Sequence, residues 1–141
     1  MKPQELRIGN IVKIDDEYLG PIEGKVTSLK ESGEAELLLS VSKGNGRCFV
    51  CGSDDIFPIP ITEELLEKCG FERNNDMSPD ILDLGKGRLV YMFKNTYGWI
   101  LQYVRYGVGY DETVSKNIVM FVHQLQNAYY LVTGKELEIK L

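Results

Sequence analysis

Cys48-Phe49-Val50-Cys51-Gly52 is the stretch whose residue types and spacing come nearest to a chemical site. A C-x-x-C-G turn is half of a zinc ribbon, because two thiolates aimed into one tetrahedral site need the glycine for a tight knuckle. The other half is missing. Only Cys69 and His123 remain as further ligands of that kind, and they lie far apart in the chain with different neighbours. As a redox dithiol the pair lacks a helix starting behind it to lower a thiol pKa. Small hydrophobes in or beside a strand account for the same residues. The expectation is no metal and no cofactor.

His123 is the only histidine, so a triad or metal cluster would have to be built around it. Its neighbours at helical spacing are Gln126, Asn127 and Tyr130, which could satisfy it or join it in a polar network that recognises a partner. Catalysis also needs a nucleophile or a matched acid and base, and no residue here is marked out for either role. The aromatic residues Tyr91, Phe93, Tyr97, Trp99, Tyr103, Tyr106 and Tyr110 could stack bases or sugars, with Arg105 assisting on the Trp99/Tyr103 face. Filling the layer between a sheet and a helix is the favoured reading of these residues. The acidic runs Asp15-Asp16-Glu17 and Asp54-Asp55 lack the alternating ligands and glycine of a calcium loop. G-x-G-x-x-G, a phosphate-binding loop, H-E-x-x-H and G-x-S-x-G are all absent, which weighs against the commonest nucleotide-binding, zinc-protease and serine-hydrolase classes. The chain is expected to have no catalytic residues and not to be an enzyme.

Charge narrows the partners. The net charge is −5 over 141 residues. Residues 1–61 carry 7 Lys/Arg against 10 Asp/Glu (−3), and residues 62–141 carry 9 against 11 (−2). Neither half offers the basic surface that drives nonspecific phosphate binding, so nucleic acid is the less favoured partner. An apolar share of 43% with 26% charged residues is ordinary for a globular protein with a real core. No run approaches the roughly 20 apolar residues of a membrane span, and MKPQELRIGN has no signal-peptide core. An odd, unframed set of three cysteines suits a reducing compartment. A cytoplasmic location is expected.

The element that must position these residues is a long helix over Ser115–Gly134. Ile118, Phe121, Val122, Leu125, Ala128, Tyr129 and Val132 recur at the three- and four-residue spacing of one helical face. Ser115 is placed as its N-cap and Gly134 as its closing left-handed residue. Lys116 is the one charged residue inside it, and Val119, Met120 and Leu131 are apolar off the main stripe, so the helix is expected to be covered on two sides. Upstream, Leu6–Ile14 with a kink at Gly9-Asn10, Gly24–Leu29 after a Gly20-Pro21 turn, Glu34–Val41, and Arg47–Cys51 after Gly44-Asn45-Gly46 read as short strands. In Asp54–Ile61 two prolines at alternate positions make an extended connector. Thr62 caps a short helix with Leu65, Leu66 and Cys69 on its apolar face, ended by Gly70. Ile81–Leu84, Arg88–Phe93 and Gly98–Tyr106 form an antiparallel meander, with Gly107-Val108-Gly109 a turn, and Glu136–Leu141 alternates as a last strand.

IGNIV followed by EGKV resembles the opening hairpin of SH3-like and KOW-type barrels. ELRIGNIV, PIPITEELLEKCGF and HQLQNAYYLVTGKEL together resemble a group of small uncharacterised proteins of bacteriophages and of integrated mobile elements of gut anaerobes. That resemblance covers about half the chain and implies a genomic setting, with no activity to carry over. The predicted fold is α+β. Residues 1–61 form a small SH3-like β-barrel or bent sheet, and residues 62–141 an α+β domain of short helix, meander, long helix and final strand. The predicted function is a non-enzymatic interaction module whose partner is a protein, with a second copy of the chain as one option. Its docking face is Val119, His123, Gln126 and Tyr130, or Trp99, Tyr103 and Arg105. The alternative is an accessory protein that binds nucleic acid through the barrel and exposed aromatics.

Overall fold

Alternating apolar and polar side chains build the first sheet, since successive strand residues face opposite sides. In β1 (Ile11–Asp16) Val12 and Ile14 are buried while Asp15 is exposed; in β2 (Gly20–Leu29) Val26 is buried between exposed Lys25 and Thr27. The computed structural model describes residues 5–17, 20–30, 34–39, 48–73, 81–84, 90–106 and 111–139. β1 and β2 pair antiparallel from Ile11↔Lys25 to Asp16↔Gly20. Gly20 and Pro21 therefore open β2 and are not themselves a turn. β3 (Ala35–Leu39) follows antiparallel on β2, with a register shift between Val26 and Ser28, and β4 (Cys48–Cys51) is antiparallel on β3. The Gly44-Asn45-Gly46 stretch lies outside the described residues.

The connector does more than span. Ser53–Asp55 make a 3₁₀ turn, and β5 (Ile56–Phe57) pairs with β1 through Ile14↔Ile56. The curled sheet thus has the order β4-β3-β2-β1-β5. Leu6, Val12, Ile14, Val26, Ala35, Cys51 and Ile56 form its core. Leu6 and Ile8 are not strand residues. Gly9, at φ +94°, turns the chain so that the Asn10 amide bonds Arg7 O at 3.0 Å, and the strand starts only at Ile11.

In the second sheet β6 (Glu72–Arg73), β7 (Ile81–Asp83), β8 (Val90–Asn95), β9 (Gly98–Tyr106) and β10 (Asp111–Val119) run in the order β10-β9-β8-β7-β6, each pair antiparallel. This is the expected meander with one more strand on each edge. Residues 107–109, read as the turn into the next element, lie outside the described residues. The short helix α1 (Glu63–Lys68) is built as its sequence demands. The Thr62 hydroxyl accepts from Leu65 N at 3.2 Å, Leu66 is fully buried, and Gly70 closes the turn at φ +87°. Arg73 pairs with Glu63 across this unit's surface.

The helix predicted over Ser115–Gly134 is shorter than expected. Ser115–Val119 belongs to β10, where Ser115 faces Tyr103 and Val119 faces Trp99, so Ser115 is no N-cap. The helix, α2, is Val122–Thr133. The spacing of Ile118 and Val119 fits either period, and their β-branched side chains favour the strand once β9 offers a partner. The actual start is at Phe121, whose amide donates to the Gln124 side chain at 3.3 Å while its carbonyl accepts from Leu125 N at 3.1 Å. Gln124 reaches back to the cap as the third helical residue of a capping box does. The C-terminal end is as expected, with Gly134 at φ +68°. Glu136–Ile139 is not a strand. Leu137 is buried between exposed Glu136 and Glu138 without joining a ladder, so alternation here reports burial alone.

The chain divides into two compact units, Met1–Pro60 with Phe121–Asn127, and Ile61–Met120 with Ala128–Leu141. The boundary falls at Pro60/Ile61, and the first half of α2 groups with the N-terminal segment. Within the first unit Pro60 bridges to Phe121 and Val122 N donates to Ile59 O at 2.9 Å. No helix among the described residues is long and apolar enough to cross a membrane.

The cap on α1 yields a direct test. Thr62→Ala leaves Leu65 N without its acceptor, and the expected loss is about 1 kcal/mol. Urea denaturation followed by the fluorescence of Trp99, the single tryptophan, measures it in the unit that contains both residues.

Candidate functional site

The densest polar chemistry in the described residues is on the first turns of α2, inside the first unit. Gln126, only 2% exposed, accepts from the Ile11 amide with Oε1 at 2.8 Å and donates from Nε2 to the Gly9 carbonyl at 3.1 Å. One side-chain amide thereby satisfies the backbone where the turn becomes β1. Asn127 holds the same segment further along. Its Nδ2 donates to Glu5 O at 3.0 Å, and its Oδ1 accepts from Asn10 Nδ2 at 2.9 Å and from Arg7 Nε at 3.2 Å. Asn10 is fully buried and accepts from the Arg7 amide with Oδ1 at 2.7 Å. Buried amides need all their partners, and here donors and acceptors match throughout.

His123 breaks that pattern. It lies one turn before Asn127 on the same helix face, is 1% exposed, and neither ring nitrogen has a hydrogen-bond partner. Its ring stacks on Phe121 with centroids 6.0 Å apart and planes 9° apart. Burial pushes its pKa below the ordinary 6.5, against a smaller upward pull from the Glu5 carboxylate. The imidazole is therefore neutral at neutral pH. An unbonded buried polar group costs about 1–3 kcal/mol, so this side chain is the costly member of the cluster.

Several predicted site residues are not brought together. Val119 is a buried residue of β10, His123 and Gln126 are buried, and Tyr130 is exposed. The four do not form one helical face. The reason is that α2 buries His123 and Gln126 beside Val122, Leu125 and Tyr129 of the expected stripe, with Gln126 closed off by the chain's own N-terminal turn. The helix is also not covered all round, since Leu131 is 80% exposed. On the second sheet Trp99 is buried, with Lys94 Nζ 5.9 Å from its ring centroid. Ile100 and Leu101 are buried beside it, so both faces of β9 are covered there. Tyr103 is half-buried, and the Arg105 side chain lies outside the described residues.

The cysteines do not converge. Residues three apart in a strand face opposite ways, and Cys48 is exposed while Cys51 is buried, its Sγ 3.9 Å from Ala35 O. Burial, with a contribution from Asp55, raises the Cys51 pKa, and burial pushes that of Cys69 up to about 11. Thiols so shifted are not thiolates at neutral pH. Among the described residues no three of His, Cys, Asp or Glu gather as metal ligands.

Glu5, Arg7, Gly9 and Asn10 are the members of the cluster that sequence reasoning missed. The one available signal was Asn10 directly after Gly9, read as a kink, when a buried asparagine at a turn also needs something to bond.

Gln126→Leu strips the Ile11 amide and the Gly9 carbonyl of their partners and is expected to cost about 2–4 kcal/mol, up to two buried groups at about 1–3 kcal/mol each less partial access of water. Asn127→Ala, at a partly exposed position, should cost less, about 1 kcal/mol. Chemical denaturation followed by circular dichroism gives both values, and equal costs would contradict this ranking.

Comparison with protein-family models, with curated proteins and with solved structures returns no match.

Proposed function

We propose that this chain is a non-enzymatic protein-interaction module carried by a phage or mobile element, with its first unit an SH3-like barrel. The strand order β4-β3-β2-β1-β5, with a 3₁₀ turn between β4 and β5, supports the barrel reading. It is the arrangement in which the first strand pairs with both the second and the last. The genomic setting rests on the resemblance of the three quoted segments.

The observation that carries the interaction reading lies in the second unit. Tyr97, Ile118 and Met120 are 75%, 57% and 49% exposed. Ile118 and Met120 share the place where β9 begins and β10 ends, since a Cβ at Gly98 would lie 3.3 Å from Met120 Cγ and 4.0 Å from Ile118 Cγ2, and Tyr97 directly precedes Gly98 in the chain. Large apolar side chains that share one exposed place mark association surfaces more often than isolated ones do. This surface replaces the buried Val119/His123/Gln126 set. The net charge of −5 disfavours nucleic acid as the partner.

The test uses Met120→Lys and Tyr97→Ser, both at exposed positions and expected to leave stability within about 0.5 kcal/mol. If the reading is right, light scattering shows the wild-type chain self-associating, or affinity capture retains one stoichiometric protein, and either signal falls at least about tenfold in the variants, the scale of losing one well-packed contact. Binding unchanged by both substitutions removes this surface. Salt-sensitive retention of single-stranded oligonucleotides favours the alternative.

A further inference from the structure

We propose that His123 is an acid-sensitive latch, and that protonating its imidazole releases the Glu5–Asn10 segment from the first turns of α2. Gln126 and Asn127 hold the segment to the helix, through Gly9 O, Ile11 N, Glu5 O, Arg7 Nε and Asn10 Nδ2. His123 stands three and four residues before those amides, which puts it on the same helix face. It is 1% exposed, and neither nitrogen has an acceptor to receive a proton's second N–H.

A neutral ring tolerates that site at a cost, whereas a charged ring must be solvated or paired. Glu5, on the held segment, favours the protonated form, and the chain's α-amino group disfavours it. Arg7, on the same segment, turns its Nε–H to Asn127. The carboxylate does not offset burial, which dominates and lowers the native pKa. At 1% exposure the ring is shut off from water in the closed form; on this proposal release of the segment held by the neighbouring amides opens a path to it, so proton uptake and opening are one event.

The direction follows from linkage. Above pH 6.5, the ordinary histidine value, both closed and open forms are neutral and closure is independent of this group. Below 6.5 the open form binds a proton that the closed form cannot, so the opening equilibrium rises about tenfold per pH unit until the lowered native pKa is reached, then levels off. Closure is strongest at neutral pH and weakens as the solution is acidified below 6.5.

The experiment is amide hydrogen exchange on the full chain between neutral and mildly acid pH, corrected for intrinsic rates, reading Ile11 and Gly9, whose amides are bonded to Gln126 Oε1 and Val26 O. The wild-type opening constant at Ile11 is expected to climb with a slope of one proton, while His123→Phe and His123→Leu keep it flat. The His123 ring resonance should titrate below its ordinary value in the same samples. Because either variant could perturb packing, Glu5→Gln supplies a second readout. Removing the carboxylate lowers the native pKa further, so the one-proton rise continues to lower pH than in the wild type while the packing of His123 is untouched. A slope that persists in both His123 variants assigns the acid response to carboxylates and overturns the proposal, as does a His123 titration at or above 6.5. These outcomes are independent of the association surface on the second unit.

Discussion

The amide of Gln126 sets the terms for the first unit, because it ends a conflict that the sequence creates at Gly9–Ile11. The chain must turn sharply before β1, and the turn leaves the Ile11 amide and the Gly9 carbonyl facing inward. Buried backbone groups without partners would outweigh the gain from packing Val12 and Ile14 behind them. Gln126 supplies one acceptor and one donor at 2.8 and 3.1 Å, and with them the turn can be buried. Val26 completes the arrangement from the other side, accepting from Gly9 N and donating to Asn10 O. The start of β1 is therefore fixed by a residue more than a hundred positions away.

That dependence explains which features were legible in the sequence. Local chemistry was readable. The Thr62 cap with Leu66 behind it, the Gly134 stop and the Val90–Tyr106 hairpin all arise from residues close in the chain, and each has the expected place. What depends on a distant partner was not. Ser115–Val119 has the spacing of a helix, yet it pairs with β9, because an available strand edge outweighs a weak local preference. Leu6 and Ile8 look like strand residues, but Gly9 turns the chain between them and Ile11. Glu136–Ile139 alternates without a ladder to join. Periodicity identifies which side chains are buried and leaves open whether a sheet or a helix buries them.

The candidate site was half legible for the same reason. His123, Gln126 and Asn127 stand out on a helix with almost no charge, and their polarity was read as a surface offered to a partner. The structure gives them an internal one. Glutamine and asparagine are ambiguous in this respect, since an amide serves an internal turn as well as a foreign backbone. Only the second half of the contact, the unpaired groups at Gly9 and Ile11, separates the two, and those groups are invisible in side-chain chemistry. At Trp99 packing was the favoured reading and stacking the other; the ring is buried with its neighbours Ile100 and Leu101, so no open face remains at that point.

Apolar residues at 126 and 127 could pack against Leu6 and Val12, but they would hold the N-terminal segment in many positions. Hydrophobic contact is nondirectional, while amide bonds at 2.8–3.2 Å to named atoms accept one register only. Polar groups in a core commonly confer this kind of uniqueness at some expense in stability. His123 belongs to the same face but carries the expense without the bonds. A leucine there would fill the space with no unpaired nitrogen. The imidazole is thus the one member of the cluster whose presence the packing does not require, and it is also the one whose charge state answers to acidification below 6.5. In a cluster that is otherwise fully bonded, protonation of this ring is where the closed arrangement is weakest.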